Sequence, residues 1–192
     1  MKIKLNTMEK ELELWGQGLE KFQLPRWNLL PDIDLYMDQV LTMIEKYLSP
    51  LMIHEDQKII TAAMINNYVK LGLIPAPVKK RYTRKHIAFL IAISILKQVF
   101  TIQEIKDGIL FQASVVGINE AFNLFCDEQE KSLYVVAAQV TGTKSIPILE
   151  EQIPIDFLAV KLATLSFATK LITEKTIALG KEKISTKKEA EE

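Results

Sequence analysis

Ile60-Thr61-Ala62-Ala63-Met64-Ile65-Asn66-Asn67-Tyr68-Val69-Lys70-Leu71-Gly72-Leu73-Ile74-Pro75 is the stretch on which the fold turns. Thr61 offers a helix cap and Gly72 a stop, so the spacing predicts a helix running to about Leu71. Its two faces differ. Met64, Ile65, Tyr68 and Leu71 turn one way, with Tyr68 read as a core residue. Ala63, Asn66, Asn67 and Lys70, at steps of three, four and seven, turn the other. This second face is small and polar and carries no acid. Asparagine side chains compete for the backbone and weaken a helix. Two in succession are a local choice against stability, of the kind that falls at functional sites.

On the C-terminal side, Pro75-Ala76-Pro77 forces an extended stretch. Val78 to Tyr82 then reads as a short β-ribbon carrying Lys79, Lys80 and Arg81. Thr83 caps a further helix whose first turn, Arg84-Lys85-His86, sets cations against the helix dipole at a few tenths to about 1 kcal/mol each. An anion bound there would offset that cost. The helix continues, apolar nearly all round, to Val99, and Thr101 caps the next, Ile102 to about Leu110. On the N-terminal side, Asp32 after Pro31 offers a cap. Ile33, Met37, Val40, Leu41, Ile44 and Leu48 then make one apolar stripe, ended by Ser49-Pro50.

Charge sets the same region apart. Lys58 to Gln103 holds eight of the chain's 24 basic residues and none of its 24 acidic ones, so it carries +8 while the rest carries −8. Such asymmetry marks a surface that meets a polyanion, most often nucleic acid.

The remaining sequence bounds the class. At 192 residues and 48 % apolar, the chain is long and oily enough for a real core. One cysteine, Cys126, excludes an internal disulfide framework and fits a reducing, cytoplasmic setting. The run Ile87 to Leu96, closed by Lys85 and Lys97, is too short for a bilayer span and reads as a buried helix. Met1 to Gln23 has helical character without a firm cap and reads as loosely packed. Beyond Phe111 the chain turns acidic. Ala113 to Phe125 looks helical, Ser132 to Val140 suits helix or strand, and Pro147 and Pro154 bracket a loop. Ile155 to about Gly180 reads as a long helix with Leu158, Leu165, Ile172 and Leu179 seven apart. The expected divisions are 1–29 as an extension packed on the core, 30–110 as the central unit, 111–180 as a helical dimerisation or sensing region, and 181–192 as a frayed charged tail.

Two helices, a basic ribbon and a capped apolar helix follow in the order of a helix-turn-helix with a wing. Asparagine can donate to and accept from adenine at once, and the ribbon cations can grip phosphates. Ile60 to Pro75 resembles the recognition helix and wing start of MerR-type regulators, with Tyr68, Gly72, Leu73 and Pro75 at the matching places. Arg81-Tyr82 resembles their wing end, and Thr101-Ile102-Gln103-Glu104 their fourth-helix start. Where those proteins carry an arginine and a second tyrosine, this chain has Asn66 and Asn67. More closely, Leu30-Pro31-Asp32-Ile33-Asp34-Leu35-Tyr36-Met37-Asp38-Gln39-Val40, together with Met64 to Lys70, is similar to a bacterial family, the domain-of-unknown-function 1836 proteins. That resemblance covers roughly Leu30 to Leu110 and implies transcriptional regulation.

The expectation is a mainly α protein: a MerR-like winged helix-turn-helix followed by a C-terminal helical region, binding double-stranded DNA as a homodimer. Ala63, Asn66 and Asn67 would face bases. Lys70, Lys79, Lys80, Arg81, Arg84 and Lys85 would contact phosphates, and His86 would join that basic helix start. No catalytic group, cofactor, metal or membrane contact is expected, and no effector is implied. Asp32, Asp34 and Asp38 read as capping and solvated acids, and His54-Glu55-Asp56 as a loop cluster. Cys126 reads as a buried thiol, and Trp15 and Trp27 as packing anchors. The competing reading is a protein-interaction module that docks an acidic partner, with a helical-bundle enzyme a distant third.

Overall fold

The computed structural model describes the backbone of residues 2–53, 58–141 and 153–189, and the side chains of 8–53, 58–141 and 153–181. Pro147 and the cluster at 54–56 lie outside these ranges. The protein is mainly α. Among the described residues the helices are α1 (Lys2–Glu20), α2 (Met37–Leu48), α3 (Ala62–Lys70), α4 (Arg84–Leu96), α5 (Ile102–Val116), α6 (Ile118–Thr141) and α7 (Ile155–Glu189). The β pairing described is two isolated antiparallel bridges, Leu35 with Tyr82 and Val78 with Arg81.

α2 begins four residues later than a cap at Asp32 suggested, at Met37 with Tyr36 as its cap. Leu35 exchanges backbone hydrogen bonds with Tyr82, at 2.9 and 2.8 Å, which keeps it extended. The Gln39 side chain then accepts from the Tyr36 N–H at 2.9 Å and starts the helix. Ile33 is therefore 67 % exposed and outside the stripe, which is Val40, Ile44 and Leu48.

α4 is the central helix. Its residues from His86 to Ile95 are buried except the half-buried Phe89, so the oily run is core. Among the described residues no single helix is long and apolar enough to cross a membrane. α5 does not stop near Leu110 but continues to Val116. Gly117, at φ +83°, ends it, and α6 leaves at 114°. Ser132 to Val140 is helical, within α6.

α1, α6 and α7 form a bundle that coats the central helices. α1 is firmly seated, with Leu19 only 2 % exposed. Of the Leu158-Leu165-Ile172-Leu179 series, α7 buries Leu179 and leaves the other three half-buried. It turns Thr164, Phe167, Ala168 and Leu171 inward, the stripe that a straight helix of 3.6 residues per turn offers to a neighbour. α6 and α7 also share polar ties. Gln129 donates to the Thr164 carbonyl at 3.4 Å, Ser132 Oγ lies 3.2 Å from Thr164 Oγ1, and Glu128 sits between Lys131 (2.9 Å) and Lys161 (2.6 Å). Burial works against the Glu128 charge, but the hydrogen bonds from Lys161 and Lys131 win and hold its carboxyl below the usual range.

The segment from Leu24 to Leu30 straps the central unit to α6. Arg26 forks across Glu130 (2.6 Å) and Asp127 (2.7 Å), and Glu130 also accepts from the Leu24 N–H at 2.7 Å. Trp27 meets Phe122 edge-on at 6.3 Å. Cys126 is fully buried beneath the strap, and burial pushes its thiol up to about 12.

Candidate nucleic-acid interface

Thr61 caps α3, its hydroxyl accepting from the Met64 N–H at 3.2 Å. Ile65 and Tyr68 are buried, while Ala63, Asn66, Asn67 and Lys70 are exposed. The inward face is narrower than the spacing suggested. Met64 is 36 % and Leu71 50 % exposed, because a nine-residue helix lying on one neighbour buries a single i, i+3 row. The helix ends on Gly72, at φ +63°. The Leu73 N–H bonds back to the Tyr68 carbonyl (2.9 Å) and the Gly72 N–H to that of Val69 (3.0 Å), a glycine-dependent stop.

The chain then makes a hairpin of minimum length. Val78 and Arg81 pair, and the two residues between them, Lys79 and Lys80, both take left-handed conformations, φ +50° and +62°. Such a turn suits Asn-Gly far better than two lysines. Side chains anchor the hairpin to the rest of the unit. The Arg81 guanidinium lies 4.5 Å from the Tyr36 ring centre and donates to the Tyr36 hydroxyl at 2.9 Å. Arg84 donates to the Pro31 carbonyl at 3.3 Å.

His86 is a buried brace rather than part of the cationic helix start. It is 5 % exposed. Its Nδ1 accepts from the Thr83 N–H at 2.9 Å, so Nε2 carries the hydrogen and donates to the Pro75 carbonyl at 3.2 Å. Burial, with Lys85 adding to it, lowers its pKa against the opposing pull of Pro75 and Asp34, and the ring is neutral near pH 7. The brace closes the hairpin's two ends onto α4. Lys97 is likewise withdrawn from the basic surface. Its ammonium donates to the Ile59 carbonyl at 2.6 Å, beside the start of α3, and burial lowers its pKa.

Lys70, Lys79, Lys80, Arg81 and Lys85 are exposed and Arg84 is half-buried. Among the described residues none of the six pairs with a carboxylate, whereas Arg26, Lys131, Lys161 and Lys170 do. The six cations and the two asparagines thus fall within one stretch of chain: the outer face of α3, the hairpin that follows it, and the first turn of α4. Arg81 and Arg84 were foreseen as phosphate contacts alone; their anchoring contacts reach across 45 and 53 residues of sequence, beyond what local spacing reveals. Asp32, Asp34 and Asp38 are exposed. Among the described residues no group of three His, Cys, Asp or Glu side chains could hold a metal ion.

No curated protein and no solved structure matches the chain. The family described as domain of unknown function DUF1836 matches residues 25–134, from the strap through α2, α3, the hairpin, α4 and α5 into α6. With more than half its length covered, the chain belongs to that family.

Proposed function

We propose that this protein binds double-stranded DNA as a transcriptional regulator, with α2, α3 and the hairpin acting as a MerR-like winged helix-turn-helix. One observation carries the reading: six cations without carboxylate partners flank a short helix whose outward face offers Asn66 and Asn67. Asn66, Asn67 and Ala63 would meet base edges, where a bidentate Asn–adenine contact is worth about 1–3 kcal/mol of discrimination. Lys70, Lys79, Lys80 and Lys85 would hold phosphates. Arg81 and Arg84 would do so while anchoring the wing. The left-handed lysines support this role, since backbone strain tends to be kept where function requires it.

An anisotropy titration against random duplex at two salt concentrations tests the proposal. Binding should weaken steeply with salt. Replacing Lys79 and Lys80 with Ala should lower the slope of log affinity against log salt by up to about 0.9 for each lost phosphate contact. Binding that ignores salt, or a slope unmoved by the double change, rejects it. Asn66→Ala should leave random-duplex affinity nearly intact and alter the sites recovered from a random pool. A second reading draws on Met64, Leu71 and Val78, exposed apolar residues beside the cations: docking of an acidic, partly apolar protein segment. Loss of affinity for every duplex together with retained binding of acidic peptides would favour it.

A further inference from the structure

The outward face of α3 is narrow in what it can read. In the major groove guanine is taken chiefly by a forked Arg or by Lys, cytosine by a carboxylate, adenine by Asn or Gln, and the thymine methyl by an apolar contact such as Ala. α3 turns Ala63, Asn66 and Asn67 outward and contains no Arg, Asp or Glu. Its single lysine, Lys70, is the last residue of the helix, whereas a recognition helix meets base edges with its N-terminal part. The nearest arginines are held elsewhere. Arg81 stacks on Tyr36 and donates to its hydroxyl at 2.9 Å, and Arg84 donates to the Pro31 carbonyl at 3.3 Å. No acid occurs between Lys58 and Gln103 to accept from cytosine. The Thr61 hydroxyl is engaged by the Met64 N–H. The two asparagine amides are exposed, and among the described residues neither side chain has a hydrogen-bond partner.

Resting on the duplex reading, we propose that the bases recognised are neighbouring A·T pairs, read from the major groove. Asn66 and Asn67 donate through the amide nitrogen to adenine N7 and accept through the amide oxygen from adenine N6, while Ala63 packs on a thymine methyl. Facing guanine, an amide makes one bond where adenine allows two, because O6 and N7 both accept. At about 1.5 Å per residue the row from Ala63 to Asn67 spans about 6 Å, enough for about two base pairs at about 3.4 Å each.

Anisotropy titrations of the full-length chain at one salt concentration compare duplexes of equal length built from A·T, G·C and inosine·cytosine pairs. Inosine·cytosine keeps the G·C pattern in the major groove but lacks the guanine N2 amino group, so its minor groove resembles that of A·T. The A·T duplex should bind at least about fivefold more tightly than either of the others. Replacing its adenines with 7-deazaadenine, which has no N7, should remove about threefold or more, and replacing thymine with uracil, which has no methyl, about two- to fourfold. Asn66→Ala with Asn67→Ala substitutes a better helix former on an exposed face, so the variant should melt no lower than the parent. Its affinity for A·T should fall to within about twofold of that for G·C. Equal, salt-sensitive binding of all three duplexes overturns the inference and leaves the duplex reading standing. So does equal binding of A·T and inosine·cytosine, both above G·C, which places the reading in the minor groove. An A·T preference undiminished by 7-deazaadenine or in the folded double variant also overturns it. Absence of salt-sensitive binding to every duplex removes the duplex reading and this inference together.

Discussion

Lys79 and Lys80 hold backbone conformations that cost an L-residue with a side chain about 1–2 kcal/mol each. Replacing them with Asn-Gly fits the same turn at lower cost, so Lys79→Asn with Lys80→Gly should raise stability by roughly 1–2 kcal/mol while weakening binding to any duplex. Urea denaturation beside a salt titration would show both changes. A variant that gained stability and kept full duplex affinity would remove the lysines from the proposed interface. His86 supports a prediction of the opposite kind, about stability alone. Its folded pKa lies below the ordinary 6.5, so protonation favours the unfolded chain. Its contribution is complete above pH 6.5 and is lost as pH falls from there toward the lowered value. The stability gap between the parent and His86→Gln should narrow on going from pH 7.5 to 5.5; a gap that holds constant across that range contradicts the neutral brace. At this scale the outward asparagines were legible because helical spacing alone sorts faces. The burial of His86 and Lys97 was not, because a polar letter in a basic run gives no sign of the distant carbonyl, Pro75 or Ile59, that receives its hydrogen.

Glycine at a positive φ marks two of the turns that set the helices' directions, and only one was read from sequence. Gly72 stood out because it closes a clear helical pattern. Gly117 did not, because apolar residues continue on both sides of it and the change of charge near Phe111 looked like the boundary. The two should differ in sensitivity. Gly72 sits in the ordinary left-handed region, where alanine costs about 1–2 kcal/mol. Gly117 combines φ +83° with ψ +159°, a region essentially closed to other residues, so Gly117→Ala should cost about 1–3 kcal/mol and more than Gly72→Ala. Chemical denaturation of both variants checks the order, and the reverse order would mean that α5 and α6 can re-form their 114° bend in another way. Capping followed the same division. The Thr101 cap is local and legible in the sequence, and Glu104 completes it as a capping box, with Thr101 N–H and hydroxyl both 2.8 Å from the carboxylate. The start of α2 was misplaced because it depends on Tyr82, 47 residues further along, and no local rule at Asp32 competes with two backbone hydrogen bonds.

The whole chain is tied together more closely than its charge pattern implies. One hydrophobic core runs from Leu19 on α1 through Val40, Ile65 and Ile91 to Phe125 and Leu171. The DUF1836 match follows the same logic, since it begins at the strap and reaches into α6, where Arg26 finds Asp127 and Glu130. A sequence read by local period cannot reveal this coat, because its ties span the chain: Thr141 on α6 donates to Glu20 on α1 across 121 residues, and Arg26 reaches Glu130 across 104. Unfolding should therefore be a single event. Trp15 on α1 and Trp27 on the strap report on the coat, while far-ultraviolet circular dichroism reports on all helices, and their denaturation curves should coincide. A chain limited to 30–110 keeps the basic surface but loses α6 and α7, both of which pack on α4, the helix whose Leu90, Ile91 and Ile95 are each 1 % exposed or less in the intact protein. Each such side chain returned to water forgoes about 1.5–3 kcal/mol, and three already approach the lower end of a domain's whole stability. That fragment should show no cooperative transition. Separated curves in the full chain, or a sharp transition in the fragment, would make the basic unit a domain of its own, with the helical coat an attachment to it.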